Sequence, residues 1–207
     1  MNYLLIAVFA VVAYLLGSIN SSILIGRLFG VKDIRKHGSG NAGATNTLRT
    51  IGKKAAILAL IGDALKGVIA ILLTRLVLGM FIEGDLLRIA QYVSGVAAVL
   101  GHNFPIFFQF KGGKGIVTTA AVGAMMNPFM ALIVIAIGVG TIIISKYVSL
   151  GSVTAMVAYP ILVAVTGGDG PYILFSTTLM VLAVIKHRAN IKRLIKHEES
   201  KISAKKA

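Results

Sequence analysis

Gly101-His102-Asn103-Phe104-Pro105-Ile106-Phe107-Phe108-Gln109-Phe110-Lys111-Gly112-Gly113-Lys114-Gly115 interrupts a chain that is otherwise mostly Ile, Leu, Val and Ala. Apolar runs flank it, so the pattern predicts helices punctuated by a polar, glycine-rich loop. Glycine exposes backbone N–H groups and reaches positive φ, which lets successive amides turn inward around an anion. Lys111 and Lys114 add point charge suited to phosphate. Ile116-Val117-Thr118-Thr119-Ala120-Ala121 reads as a helix start, which would aim a positive dipole end at whatever the loop holds. Two readings fit: a phosphate-binding loop at the edge of a membrane, or a glycine-rich re-entrant turn whose lysines meet lipid headgroups.

The surrounding composition decides the class. The chain has 207 residues, 57% of them hydrophobic, and a mean hydropathy of +0.87. A soluble domain of this length has no interior large enough to hide that much apolar surface. Net charge is +14, with 21 Lys and Arg against 7 Asp and Glu. In a soluble protein this would suggest nucleic acid; here the cations cluster between apolar spans, and nucleic acid is not an expected partner. There is no Cys, which excludes disulfides, thiolate nucleophiles and Cys-ligated zinc. Met1-Asn2-Tyr3 lacks the basic start of a signal peptide, so the first apolar run is expected to be a retained span.

In order, the chain offers seven membrane segments, some short: residues 3–25, 55–80, 87–101, 116–126, 129–144, 153–165 and 172–185. The first turns polar at Gly17-Ser18-Ile19-Asn20-Ser21-Ser22, the composition of a helix packed on other helices rather than lipid. Alternation puts the loop at 27–54, the opening stretch, a polar turn at 145–152 and the tail from about 186 on one side. These hold every Lys and Arg except Lys66, Arg75 and Arg88, while the other side carries Glu83, Asp85 and Asp169. The asymmetry predicts an all-α polytopic membrane protein with its N-terminus outside and its C-terminus in the cytoplasm. One domain over 1–207 is expected, with every motif-like stretch facing the cytoplasm.

Gly38-Ser39-Gly40-Asn41-Ala42-Gly43 fits the dinucleotide fingerprint, but Lys32-Asp33-Ile34-Arg35-Lys36-His37 is no buried strand and a membrane helix follows. Gly113-Lys114 ends like a Walker A loop, but Gly115 stands where Ser or Thr is required and Phe108 where the first glycine should be. Both matches fail. What remains is chemistry: Ser39, Asn41, Thr45 and Asn46 bring short polar side chains, with Arg49 close behind for bidentate contact to an anion. A plain solvated loop is the alternative. Asp63 and Lys66 share a helix face, and each charge alone would cost about 2.5–3.5 kcal/mol near mid-bilayer. They read either as a neutralising pair facing the bundle interior or as a substrate contact. His187 and Asn190 also share a face, beside an apolar stripe of Ile191, Leu194 and Ile195 on a basic, headgroup-anchoring helix. Glu198 and Glu199 are placed to lock that helix to basic neighbours.

The three loops in this order resemble the small integral-membrane acyl-phosphate:glycerol-3-phosphate acyltransferases of bacteria. The resemblance rests on 38–46, on Gly101-His102-Asn103-Phe104-Pro105 with Phe110-Lys111-Gly112-Gly113-Lys114-Gly115, and on His187-Arg188 with Asn190-Ile191. Asp63 with Lys66-Gly67, and Ser149 with Ser152, also resemble family features. The resemblance implies a seven-helix enzyme of the bacterial cytoplasmic membrane with its active site facing the cytoplasm. It would move a fatty acyl group from acyl-phosphate to the first hydroxyl of glycerol 3-phosphate, giving lysophosphatidic acid and inorganic phosphate. No cofactor or metal is implied; the partners are the two substrates, membrane lipids and an upstream enzyme that makes acyl-phosphate.

Carried onto this chain, the resemblance gives Ser39, Arg49, His102, Lys114, His187 and Asn190 catalytic roles. Gly38, Gly40, Asn41, Gly43, Thr45 and Asn46 would bind substrate from the first loop. Lys111, Gly112, Gly113 and Gly115 would form a phosphate cradle, with Ser149 and Ser152 completing the cavity. Acyl-phosphate is a mixed anhydride, already activated, so no covalent nucleophile is demanded. The H-x-x-x-x-D dyad of soluble-fold acyltransferases is absent, because Ala42, Phe107, Lys192 and Ile202 stand five residues after the four histidines. The proton acceptor is then the donor's own phosphate, His102 or His187. A transporter for a phosphorylated anion and a non-catalytic scaffold with a polybasic tail are competing classes. The one-sided motifs count against the first, and the glycine-rich loops leave the second incomplete.

Overall fold

The computed structural model describes residues 2–202, all helix, turn and loop. The chain divides into two compact units, Met1–Met126 and Asn127–Ala207.

The first unit holds α1 (Asn2–Ser18), α2 (Ser21–Leu28), α3 (Ala44–Thr50), α4 (Lys53–Leu73), α5 (Gly84–Asn103) and α6 (Ile116–Met126). α1 and α2 are one apolar stretch broken at the polar patch. Buried Asn20 halts the first helix and starts the second, its Oδ1 accepting the Ile23 N–H at 3.0 Å. Small residues let helix backbones approach: Ala13, Ala70 and Ala98 meet in one buried cluster. A Cβ on Gly17 would strike the Ala98 carbonyl, and one on Gly101 the Tyr14 carbonyl, so α1 and α5 touch backbone to backbone. α4 runs on into a π-helical turn, Thr74–Leu78, where Thr74 Oγ1 lies 2.9 Å from Ser94 Oγ on α5.

The second unit holds α7 (Pro128–Ser145), α8 (Val148–Val165) and α9 (Gly170–Ile195). Asn127 and Asp169 cap α7 and α9 through Met130 N–H and Tyr172 N–H, each with proline in the first turn. The polar turn expected at 145–152 is mostly helix. Ser152 Oγ donates back to the Val148 carbonyl at 2.9 Å, so α8 accommodates the hydroxyl without breaking. α9 reaches ten residues past its expected end and takes in 186–195, the start of the basic tail.

All seven expected segments are helical. Among the described residues five helical stretches are long and apolar enough to cross a bilayer: Asn2–Leu28, Lys53–Leu78, Pro128–Ser145, Val148–Val165 and Gly170–Ile195. α5 has 20 residues but carries Asp85, Arg88, Gln91, His102 and Asn103. α6 has 11 residues and spans about 16 Å, roughly half of a hydrocarbon core.

Candidate active site

The first loop is organised by Asn46 on α3, which is buried. Its Oδ1 accepts the Ser39 N–H at 2.8 Å, and its Nδ2 donates to the carbonyls of Ile34 (3.1 Å) and His37 (3.0 Å). Asn46 thus holds the loop's shape. Gly38 has φ +57 and sits so close to this amide that a Cβ would strike Asn46 Oδ1. Gly43 caps α3, its carbonyl receiving the Asn46 and Thr47 N–H groups. Ser39 and Arg49 are left at the surface, and Asn41 and Thr45 are half-buried.

The second loop presses on the first. A Cβ on Gly113 would strike His102 Nε2 and stand 2.5 Å from the Ala42 carbonyl, itself 3.4 Å from Asn20 Nδ2. Gly112 passes equally close to the His102 carbonyl, which accepts the Gly113 N–H at 3.2 Å. Gly115, at φ +78, abuts Asn103 and leads into α6. Close packing is therefore a sufficient reason for each of these glycines. Lys111 is exposed and Lys114 half-buried. Between the loops lies an open hollow of about 420 Å³ bordered by Asp33, Arg35, Lys36, Gly40, Gln109, Lys111 and Gly112. Arg35 pairs with the rim's one carboxylate, Asp33, and Lys36 and Lys111 leave a net positive rim that suits an anion.

Beneath the loops sits a buried charge cluster. Lys66 Nζ lies 3.0 Å from Asp63 Oδ1, 2.9 Å from the Ile19 carbonyl and 2.8 Å from His102 Nδ1. Asp63, Lys66 and His102 are 2%, 5% and 3% exposed. The Ile19 carbonyl is available to Lys66 because the helix breaks there. His102 Nδ1 also stands 3.5 Å from Asp63 Oδ1, so the imidazole faces both charged groups of the pair. A lysine ammonium donating to Nδ1 would leave the ring's proton on Nε2.

In the second unit His187 is 2% exposed and its Nδ1 lies 2.8 Å from the Ala183 carbonyl. A carbonyl only accepts, so Nδ1 carries a proton. Ser149 Oγ (3.0 Å) and Asn190 Nδ2 (2.8 Å) both donate to Glu199 Oε1, and Arg193 Nε donates to Oε2 at 2.7 Å. Burial pushes the Glu199 carboxyl up, but these donors outweigh it and hold the group below the ordinary glutamate range. The lock expected of the tail is made by Glu199. Residues 203–207 lie outside the described part of the chain.

Three residues in this assembly escaped the sequence reading as functional candidates: Asn20, Asp33 and Arg35. Asn20 was legible as a polar residue in an apolar span, but the partner it would find, Ala42, is 22 residues away.

The chain matches the glycerol-3-phosphate acyltransferase family over residues 7–197. It is 43% identical to the glycerol-3-phosphate acyltransferase of Thermoanaerobacter pseudethanolicus, with 95% of each chain covered. It is 39% identical to the enzyme of that name from Bacillus subtilis, covering 96% of this chain and 98% of that one. Crystal structures of PlsY (YgiH), an integral membrane glycerol 3-phosphate acyltransferase, are similar throughout. Its glycerol 3-phosphate form gives a TM-score of 0.85 at 37% identity, covering 95% of this chain and 94% of that one. Its lysophosphatidic acid form gives 0.83 at 36%, with the same coverage. The chain belongs to the integral-membrane glycerol-3-phosphate acyltransferase family.

Proposed function

We propose that this protein transfers a fatty acyl group from acyl-phosphate to the 1-hydroxyl of glycerol 3-phosphate, the first acylation in bacterial phospholipid synthesis. The observation that carries the reading is the likeness to PlsY in both a glycerol 3-phosphate and a lysophosphatidic acid form. These two molecules differ by the acyl group that such a reaction adds. The glycerol hydroxyl oxygen attacks the acyl carbonyl, the carbon–oxygen bond to phosphate breaks, and the electron pair leaves with inorganic phosphate. The hydroxyl proton passes to that phosphate. The contact of His102 Nδ1 with Lys66 supports this route over a His102 base, since an ammonium donating there would leave the ring no free acceptor nitrogen. Ser39, Asn41, Arg49, Lys111 and Lys114 bind the phosphoryl groups and stabilise developing charge. From the second unit, His187 and Asn190 act as catalytic groups and Ser149 and Ser152 as substrate contacts.

The same proposal takes the whole chain as one catalytic domain, because the family match covers both units. α5 and α6 join the five apolar spans to make seven, with the N-terminus outside and the loops and C-terminus in the cytoplasm. The location of the basic residues supports this orientation. The test is to mix purified protein with acyl-phosphate and glycerol 3-phosphate. Release of inorganic phosphate with lysophosphatidic acid is the expected result. Uptake of labelled glycerol 3-phosphate into sealed vesicles without acylation would overturn it.

A further inference from the structure

Gln109 and Phe110 stand at φ 59 and 57, two consecutive non-glycine residues in the left-handed region. Such positions persist only where the surroundings over-determine them. Here the strained pair is bracketed. The Phe108 carbonyl just before it and the Lys111 carbonyl just after it both accept from Arg35 Nη1, at 2.9 and 3.0 Å. The remaining edge of the guanidinium is held by Asp33: Nε donates to Oδ1 at 3.0 Å and Nη2 to Oδ2 at 2.9 Å. Asp33 is itself fixed, because Oδ1 also accepts the Arg35 N–H at 3.0 Å. All three guanidinium nitrogens are thus committed within the protein.

From this geometry we infer that Arg35 is a positioning residue: it clasps the turn at 108–111 and thereby sets the course of the glycine-rich segment that follows. The inference rests on the proposed role of that segment in phosphate binding. Carbonyl oxygens facing a basic hollow would repel a bound anion. Arg35 draws two of them to itself and neutralises Asp33, the one carboxylate on the rim, so the hollow's uncompensated charges are those of Lys36 and Lys111. The planar fork is what the task needs. A lysine has the charge, but it cannot grip two carbonyls on one side while lying along a carboxylate on the other.

The test uses the full-length purified protein, with Arg35→Met and Arg35→Lys beside the wild type. Amide hydrogen exchange over 104–115 should accelerate by roughly tenfold or more in both variants, chiefly at Phe110 and Gly113, whose N–H groups bond the Pro105 and His102 carbonyls. KM for at least one phosphate-bearing substrate should rise by a similar factor, with kcat changed less. If Arg35→Lys matches the wild type in both measurements, charge alone suffices and the clasp is refuted. Unchanged exchange in Arg35→Met refutes it as well. If neither variant can be purified folded, Asp33→Asn, which loosens the guanidinium without removing it, should give the same changes in smaller measure; no change there counts against the clasp. A wild type that makes no acylated product would sink the proposed reaction, while the exchange measurement would still decide the role of Arg35.

Discussion

Lys66 Nζ stands 2.8 Å from His102 Nδ1, so the nitrogen of this imidazole that a base would use is engaged by a buried lysine. A histidine whose Nδ1 receives from an ammonium is neutral with Nε2–H, a donor rather than a base. His187 directs its own Nδ1 at the Ala183 carbonyl.

The two histidines should therefore respond differently to substitution. In His102→Asn the amide oxygen can take over the place of Nδ1 as acceptor for Lys66 but cannot accept a proton from substrate. Turnover should stay within about tenfold of wild type, whereas loss of a general base costs about 10²- to 10⁴-fold. Steady-state kinetics at saturating substrates read the difference, and a drop of that larger size with binding intact would restore His102 as the base.

Removing one charge of the buried pair should cost far more than removing both. Lys66→Met leaves the Asp63 carboxylate 2% exposed with its lysine gone, a loss of about 3–5 kcal/mol. The double variant Asp63→Asn/Lys66→Met should recover a large part of it. Thermal unfolding in detergent, set out as a double-mutant cycle, measures the coupling.

Glu199 should make the fastening of the tail acid-sensitive. Its carboxyl sits below the ordinary glutamate range in the folded chain. The folded protein therefore binds that proton less readily than the unfolded one. The stabilisation is present above the normal glutamate range and disappears as pH falls through the lowered value. Glu199→Gln should lose about 1.5–3 kcal/mol at neutral pH and show a flatter acid limb. Unfolding scans across pH with both proteins test it.

His197 offers a stabilising change. It stands at φ 58 just past α9. The Glu198 N–H bonds the Arg193 carbonyl at 2.8 Å and the His197 N–H bonds that of Leu194. This is a Schellman ending with a histidine where glycine is at ease. His197→Gly should raise stability by about 1 kcal/mol, visible as a higher Tm.

Gly113→Ala should be among the most damaging single substitutions, because its methyl would meet His102 Nε2 and the Ala42 carbonyl. Loss of activity with an altered loop exchange pattern is expected; a fully active variant would show that the two loops part easily.

The all-helical class and the ion pair of Asp63 with Lys66 were legible in the sequence because both follow from local rules: apolar runs of a given length, and charges three residues apart. The ends of α8 and α9 were not. Ser149 and Ser152 read as turn residues, yet a serine can satisfy its hydroxyl on the preceding helical turn, as Ser152 does. Within the site, Gly112, Gly113 and Gly115 were found for one reason and are explained by a second, since their neighbours His102, Ala42 and Asn103 are fixed only by tertiary packing. Asn46 stands out in the sequence as a short polar side chain beside the glycines, but nothing local shows that its amide is spent on Ser39, Ile34 and His37. Arg35 does not stand out among the other cations of its loop; its partners lie 73 and 76 residues away.

The gap between α1 and α2 bears on biogenesis. The Ile19 carbonyl, released where the first helix stops, is claimed by a lysine 47 residues further along. Until Lys66 is in place that oxygen has no side-chain donor, and an unsatisfied backbone group in hydrocarbon costs several kcal/mol. The break between α1 and α2 is therefore completed only when α4 packs beside it, which ties the seating of the first apolar stretch in the membrane to that of the second.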